Sequence, residues 1–280
     1  KTNELQLKAI SSYVNSNIKC RSIQLLEYFG ERNLYRCGIC DTCLDRKKLP
    51  INDIEFEEIR SQVTFLLEQS KTIEELISDV VGLADAFGSE KFQLIGHDWG
   101  SAVGWGVVAF HPDRVKSWTA LSVPHLKAFS DAVRFDKKQK KMSRYMGFFQ
   151  LRGIPEWIML RNDRKMLRGT WRSSSDEEKQ DYLSVMGNKP GLKAALAWYR
   201  ANYKVLKKGQ KMDNYLEVKT PTLLLWGKKD FAIGPVGVDG TAQYMKGEYK
   251  RIDIDASHWL VQEAFEECAA PILEHLDKHR

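Results

Sequence analysis

No apolar run in this chain approaches the ~20 residues that a bilayer-crossing helix needs, so no membrane span is expected. No Gly-rich phosphate loop of the Walker type occurs, which leaves no engine for nucleotide-driven work. The start, Lys1-Thr2-Asn3, has neither an initiator Met nor a secretory pattern, and the sequence reads as part of a longer product in a cytoplasmic setting. Internal repeats and low-complexity linkers are missing too. Cysteine is scarce, five in 280 residues, yet four of the five are Cys20, Cys37, Cys40 and Cys43. The rest is ordinary for a soluble globular protein, with 43% hydrophobic and 29% charged residues and length for one large domain or two smaller ones. The net charge of +6 is modest, and Lys137-Lys138-Gln139-Lys140-Lys141 is read as a solvated helix.

Asp98 stands in Gly96-His97-Asp98-Trp99-Gly100, directly after the apolar run Phe92-Gln93-Leu94-Ile95. Glycines two positions either side of a nucleophile, between a strand and a helix, form the pattern of a nucleophile elbow. The chain turns sharply there, and glycines permit close packing that a side chain would block. With Asp in the central place the nucleophile is a carboxylate. It would attack a saturated carbon and leave an ester on the protein, which water then cleaves. The same five residues also fit a plain strand-to-helix turn with an Asp cap.

Distant residues bear on that choice. Pro221-Thr222-Leu223-Leu224-Leu225-Trp226-Gly227 reads as a buried strand ending in a turn, followed by Asp230. Asp255-Ala256-Ser257-His258-Trp259 follows the expected strand 249–254. The order Asp98, Asp230, His258 is the order nucleophile, acid, histidine of this hydrolase sheet. A His after a late strand, with an acid after the preceding strand, is a candidate general base held by its carboxylate.

From about residue 71 onward the chain resembles an α/β-hydrolase of the epoxide hydrolase family. The resemblance rests on the elbow, on His111-Pro112-Asp113-Arg114-Val115, on 226–230 and on His258-Trp259. Tyr145-Met146-Gly147-Phe148-Phe149-Gln150 and Leu196-Ala197-Trp198-Tyr199-Arg200 are similar to the two cap segments that carry the family's epoxide-binding tyrosines. The resemblance implies that Asp98 attacks an epoxide carbon while Tyr145 and Tyr199 donate to the ring oxygen. It further implies that His258, oriented by Asp230, activates the water that cleaves the ester, with the Trp99 amide at the oxyanion. The substrate is then a small-molecule epoxide, the product a vicinal diol, and no cofactor takes part. Haloalkane dehalogenation also uses an Asp nucleophile, but would need halide-holding donors rather than a tyrosine pair.

The first part of the chain differs. Cys37-Gly38-Ile39-Cys40-Asp41-Thr42-Cys43 holds three thiols at two-residue gaps, with Cys20 upstream. Four thiolates in one compact segment suit tetrahedral structural zinc, with disulfides or plain thiols as the other readings. Residues 20–31 and 36–44 resemble the zinc-binding subdomain of RecQ-type DNA helicases, over about 1–63. Residues 1–60 hold ten Lys/Arg against nine Asp/Glu, not the basic footprint of an independent DNA binder. DNA contact is therefore weakly supported. Cys268, alone near the end, reads as a buried small hydrophobe.

The expected architecture is α/β. A small helical zinc-binding module (1–63) is joined through 64–71 to a partial α/β-hydrolase domain (72–280) with a helical cap at about 128–207. Helices are expected at 4–17, 23–28, 54–67 and 73–86, the last with Ile73, Leu76, Ile77, Val80, Val81, Leu83 and Ala84 on one apolar face and Gly88 as its stop. Strands are expected at 91–95, 115–121, 222–226 and 249–254, an elbow helix at 101–110 and a closing helix at 262–278. The family's sheet has eight strands, and these are its last four. The elbow strand would then have an unpaired apolar edge, which predicts self-association. The family's His-Gly-x-Pro loop, which helps form the oxyanion hole, has no counterpart in the sequence. Two other readings are a zinc-stabilised DNA-interaction fragment with a vestigial hydrolase half, and an artificial or misassembled fusion.

Overall fold

The computed structural model describes residues 13–14, 20–28, 40–43, 71–208 and 217–280. The chain divides into two compact units, Lys1–Leu66 and Leu67–Arg280. In the first, helix α1 (Arg21–Tyr28) follows Cys20 directly. The Arg21 guanidinium reaches Asp41 from Nη2 at 2.7 Å, tying α1 to the turn at 40–43. The expected helix at 54–67 and most of that at 4–17 lie outside the described residues.

The second unit opens with α2 (Ile73–Ala86). Thr72 and Glu75 form a capping box: the Glu75 amide donates to Thr72 Oγ1, and the Thr72 amide donates to Glu75 Oε2 at 2.7 Å. Gly88, at φ 65°, stands just past the helix end, where a side chain would be strained. Only Ile73 and Ile77 of the predicted face are buried, and Leu83 is 61% exposed.

Four parallel strands follow in the order β1 (Phe92–His97), β2 (Val115–Leu121), β3 (Thr222–Gly227) and β4 (Tyr249–Ile254). β3 is buried throughout, as its continuous Leu-rich run requires of a strand covered on both faces. β1 pairs with β2 alone among the described residues, and Ile95 is 45% exposed. α3 (Trp99–Phe110) packs along the sheet with every residue from Ser101 to Val108 buried. Both β1 and α3 extend further into the elbow than the sequence suggested, leaving Asp98 as the single residue between them.

Between β2 and β3 lies a helical cap: α4 (Leu126–Phe135), α5 (Lys137–Met142), α6 (Arg144–Phe148), α7 (Ile154–Arg168), α8 (Asp176–Met186) and α9 (Lys189–Lys208). Pro155 sits in the first turn of α7, where its missing N–H costs nothing. After β3 comes the short α10 (Pro235–Asp239). The single closing helix expected at 262–278 is two helices, α11 (Leu260–Glu263) and α12 (Phe265–Lys278). Ala264 breaks them at φ −143° and ψ 55°, and the Glu263 carboxylate turns back to accept from the Ser257 amide and hydroxyl, both at 2.6 Å. Cys268 is buried, and burial pushes its thiol up to about 11. No described helix is long and apolar enough to cross a membrane.

Two glycines test this packing with opposite signs. A Cβ on Gly104 would stand 2.0 Å from the indole of fully buried Trp118, whereas one on Gly82 meets nothing within 4 Å. Gly104→Ala should lower unfolding stability by ~1–3 kcal/mol through overpacking. Gly82→Ala, inside α2, should raise it by ~0.5–1 kcal/mol. Urea unfolding measures both, and equal effects would refute this packing of α3 on β2.

Candidate active site

The elbow is built from one close approach. A Cβ on Gly96 would lie 2.5 Å from the carbonyl oxygen of Gly100, so no other residue fits there without moving the turn. Gly100 itself has open space, contrary to the expectation that both elbow glycines are sterically required. Asp98 between them takes φ 51° and ψ −118°, outside the regions that non-glycine residues favour. This strained turn ends β1, starts α3 and leaves the Asp98 carboxylate at the carboxyl end of the sheet. Its backbone carbonyl still accepts from the Ala102 amide at 3.0 Å, closing the first turn of α3.

His258 reaches the elbow from the loop after β4. Its Nε2 lies 3.2 Å from Asp98 Oδ1, and its Nδ1 lies 2.8 Å from Asp230 Oδ2. The Asp230 side chain is fully buried, and its other oxygen accepts from the amides of Ala232 at 2.7 Å and Ile233 at 2.9 Å. Gly227 lets the two loops meet, since a Cβ there would lie 2.2 Å from the Ser257 carbonyl oxygen. Burial works against charge on the imidazole, but the hydrogen bonds and charges of Asp230 and Asp98 outweigh it and raise His258 to about 10. Burial likewise opposes charge on Asp98. The His258 hydrogen bond, the charges of His258 and His97 and the Trp99 amide win, and the carboxyl falls below its ordinary value. Both shifts favour carboxylate and imidazolium as the resting pair.

Above Asp98 lies a small cavity that is partly open to solvent. Asp98, Trp99, Tyr145 and Tyr199 share its wall with apolar Leu126 and Phe129. The rings of Tyr145 and Tyr199 meet edge to face at 5.7 Å, and Trp99 meets Tyr199 edge to face at 5.0 Å. Burial pushes both phenols well above the ordinary tyrosine range, with the Asp98 charge adding to it. They therefore remain O–H donors at any working pH. One carboxylate and two phenols face a small, largely apolar space.

In the first unit, the sulfurs of Cys20, Cys40 and Cys43 all lie within 4.8 Å of one another. Cys37 lies outside the described residues. Cys20 Sγ and Cys40 Sγ are 3.8 Å apart. A tetrahedral zinc with ~2.3 Å Zn–S bonds places its sulfurs ~3.8 Å apart, so this pair fits one edge. The Thr42 hydroxyl, outweighing burial and aided by the Arg21 amide, holds the Cys40 thiol down to about 5, which favours the thiolate a metal needs.

Comparison with known proteins places the larger unit. The alpha/beta hydrolase fold profile matches residues 66–265. The chain belongs to the α/β-hydrolase fold family. Epoxide hydrolase 4 of Homo sapiens is 31% identical over 208 residues, covering 70% of this chain and 56% of that protein. The AB hydrolase superfamily protein YfhM of Bacillus subtilis is 29% identical, covering 74% of this chain and 73% of that one. An inhibitor complex of the Bacillus megaterium epoxide hydrolase superposes with a TM-score of 0.64 at 23% identity, covering 73% of this chain and 76% of that one, a likeness of fold alone. The chain thus spans just over half the length of the human relative. A RecQ zinc-binding profile matches residues 1–44.

Two groups in this α/β-hydrolase site were not singled out from sequence. The His258 carbonyl accepts from Ser122 Oγ and faces His97 Nε2, each at 2.8 Å. His97 is held below its ordinary value by burial and by the His258 charge, so its ring is neutral and donates here. Ser122 is buried at φ 67°, a conformation no local pattern announces. Only the fold shows that the end of β2 braces the loop after β4.

The His258 shift has a signed consequence. Its folded value lies above the unfolded ~6.5, so its stabilising contribution is complete below ~6.5 and is lost as pH rises towards 10. The stability gap between the parent and His258→Gln should therefore narrow on going from pH 6.5 to 10. A gap that widens, in urea midpoints taken across that range, would contradict the ion-pair state.

Proposed function

We propose that the α/β-hydrolase unit opens a small epoxide to a vicinal diol through an ester on Asp98. The observation that carries this reading is the convergence of the Asp98 carboxylate and the Tyr145 and Tyr199 phenols on one largely apolar cavity. The likeness to epoxide hydrolases among the relatives supports it.

An Asp98 oxygen attacks one ring carbon and the C–O bond breaks. The ring oxygen gathers charge, held by the two phenols, and takes up one proton as the alcohol. One of the phenols passes that proton on and regains one from solvent, while His258 gives one proton to solvent once the ester has formed. Esterification also removes the Asp98 charge that helped to raise His258, which favours the neutral ring. His258, held by Asp230, then takes a proton from water as the oxygen attacks the ester carbonyl. The Trp99 amide donates to the resulting oxyanion. Collapse returns the Asp98 carboxylate, the imidazolium and the diol, so epoxide plus water is the whole balance.

In the first unit, Cys20, Cys40 and Cys43, with Cys37 of the same sequence motif, would hold a structural zinc. Four thiolates leave no open position for a substrate, so the metal supplies folding energy rather than chemistry.

Styrene oxide turnover and intact mass test the first reading. The parent should form diol, Asp98→Asn should lose at least ~1,000-fold, and His258→Gln should accumulate one epoxide mass on the protein without diol. Neither diol nor adduct in any form would sink it. For the second, elemental analysis should find about one zinc per chain, lost in Cys40→Ser with diol formation unchanged. A chain purified with zinc in the medium but holding none would refute the site.

A further inference from the structure

The two phenols stand on different helices, and something must set their spacing. Tyr145 belongs to α6, five residues long and far too short to be stable alone. Tyr199 lies within the 20-residue α9. The ring of Phe149 meets both, Tyr145 at 5.5 Å and Tyr199 at 5.0 Å, but ring contacts alone leave the peptides free to slide.

A polar network joins the same two segments. Gln150 Nε2 donates to the Met146 carbonyl at 3.0 Å and to the Tyr199 carbonyl at 3.1 Å, so one amide touches both tyrosine-bearing helices. Arg200, next to Tyr199, donates from Nε to the Phe149 carbonyl at 2.9 Å and from Nη2 to the Leu151 carbonyl at 3.0 Å. Its Nη1 pairs with Glu156 Oε1 at 2.8 Å. Glu156 is buried, and its other oxygen accepts from the Gly153 amide at 3.0 Å. Burial opposes its charge, but the Arg200 hydrogen bond and charge together with backbone amides outweigh this and hold its carboxyl below the ordinary value. The guanidinium thus spends three separate nitrogens on three fixed points just beyond α6. A lysine ammonium has neither the fork nor the reach for all three.

We propose that Arg200, Gln150 and Glu156 are positioning residues whose network sets the separation of the Tyr145 and Tyr199 phenols, and with it the rate of ring opening. This rests on the epoxide reading. Ester hydrolysis uses His258, Asp230 and the Trp99 amide, none of which the network touches, so the two half-reactions should separate.

Two measurements test it. In the His258→Gln background, mass spectrometry follows ester formation from styrene oxide. Arg200→Lys and Gln150→Leu should each slow it at least ~10-fold, since a displacement of ~1 Å costs ~100-fold in comparable cases. Glu156→Gln, which keeps shape and acceptor, should retain most of the rate that Glu156→Leu loses. With His258 intact, decay of the ester should stay within ~2-fold of the parent. Unchanged ester formation, or equal loss in both half-reactions, would overturn the proposal. The second measurement needs no turnover: tyrosine carrying carbon-13 at Cζ, with the two resonances assigned through Tyr145→Phe and Tyr199→Phe. Arg200→Lys should move both, and Arg152→Lys, on the exposed cap surface, should move neither. If no ester forms in the parent background, the epoxide reading fails while these resonances still decide the clamp; if they stay still, the clamp is wrong.

Discussion

Everything at the site depends on one backbone contact, Gly96 against the first turn of α3. Because a Cβ there would lie 2.5 Å from the Gly100 carbonyl oxygen, β1 and α3 join with no slack. Asp98 absorbs the bend in a backbone conformation that costs ~1–3 kcal/mol. Burial of eight successive α3 residues from Ser101 to Val108 offsets that cost. The contact also fixes the direction of the Asp98 carboxylate. A side chain held by its own strained backbone needs little further support, and among the described residues Asp98 hydrogen-bonds to one side chain, His258, at 3.2 Å.

Electrostatics completes the arrangement. Burial alone would leave His258 neutral, yet carboxylates on both ring nitrogens reverse that. Asp230 is fixed in place, because two backbone amides and Nδ1 fill its acceptor positions. In the proposed reaction, esterification would remove the Asp98 charge, so the same geometry would hold an imidazolium in one state and a base in the next.

Much of this was legible along the chain, for reasons that can be named. Apolar runs betrayed β1 and β3, and helical spacing from Ile73 with Gly88 as a stop marked α2. The approach of Asp98, Asp230 and His258 followed from their order after successive strands of a parallel sheet, whose carboxyl ends share one edge. Other features depended on contacts that no local pattern encodes. Helical spacing put Leu83 on the inner face, but it does not say how far that face is covered. The break at Ala264 comes from Glu263 turning back to Ser257, a contact across a turn that interrupts an otherwise amphipathic run. Gly100 looked indispensable by motif and is sterically free, whereas Gly104, outside the motif, is the glycine that Trp118 requires. The hold of Ser122 on the His258 carbonyl joins residues 136 positions apart.

The two sides of the cavity are held by different means. On the sheet side, main-chain geometry places the groups: the strained turn for Asp98, and paired amides for Asp230. On the cap side, side chains do the holding, since α6 is one short turn and its register is set by Gln150 and Arg200, which donate to main-chain carbonyls. Main-chain placement tolerates substitution of neighbouring surface residues but not of Gly96. Side-chain placement can be retuned one residue at a time, because each hydrogen bond of a network is worth only ~1 kcal/mol and can be exchanged without refolding the core. Adjustment to substrates of different size should therefore fall on the cap, where phenol spacing can change while the elbow, histidine and acid keep their geometry.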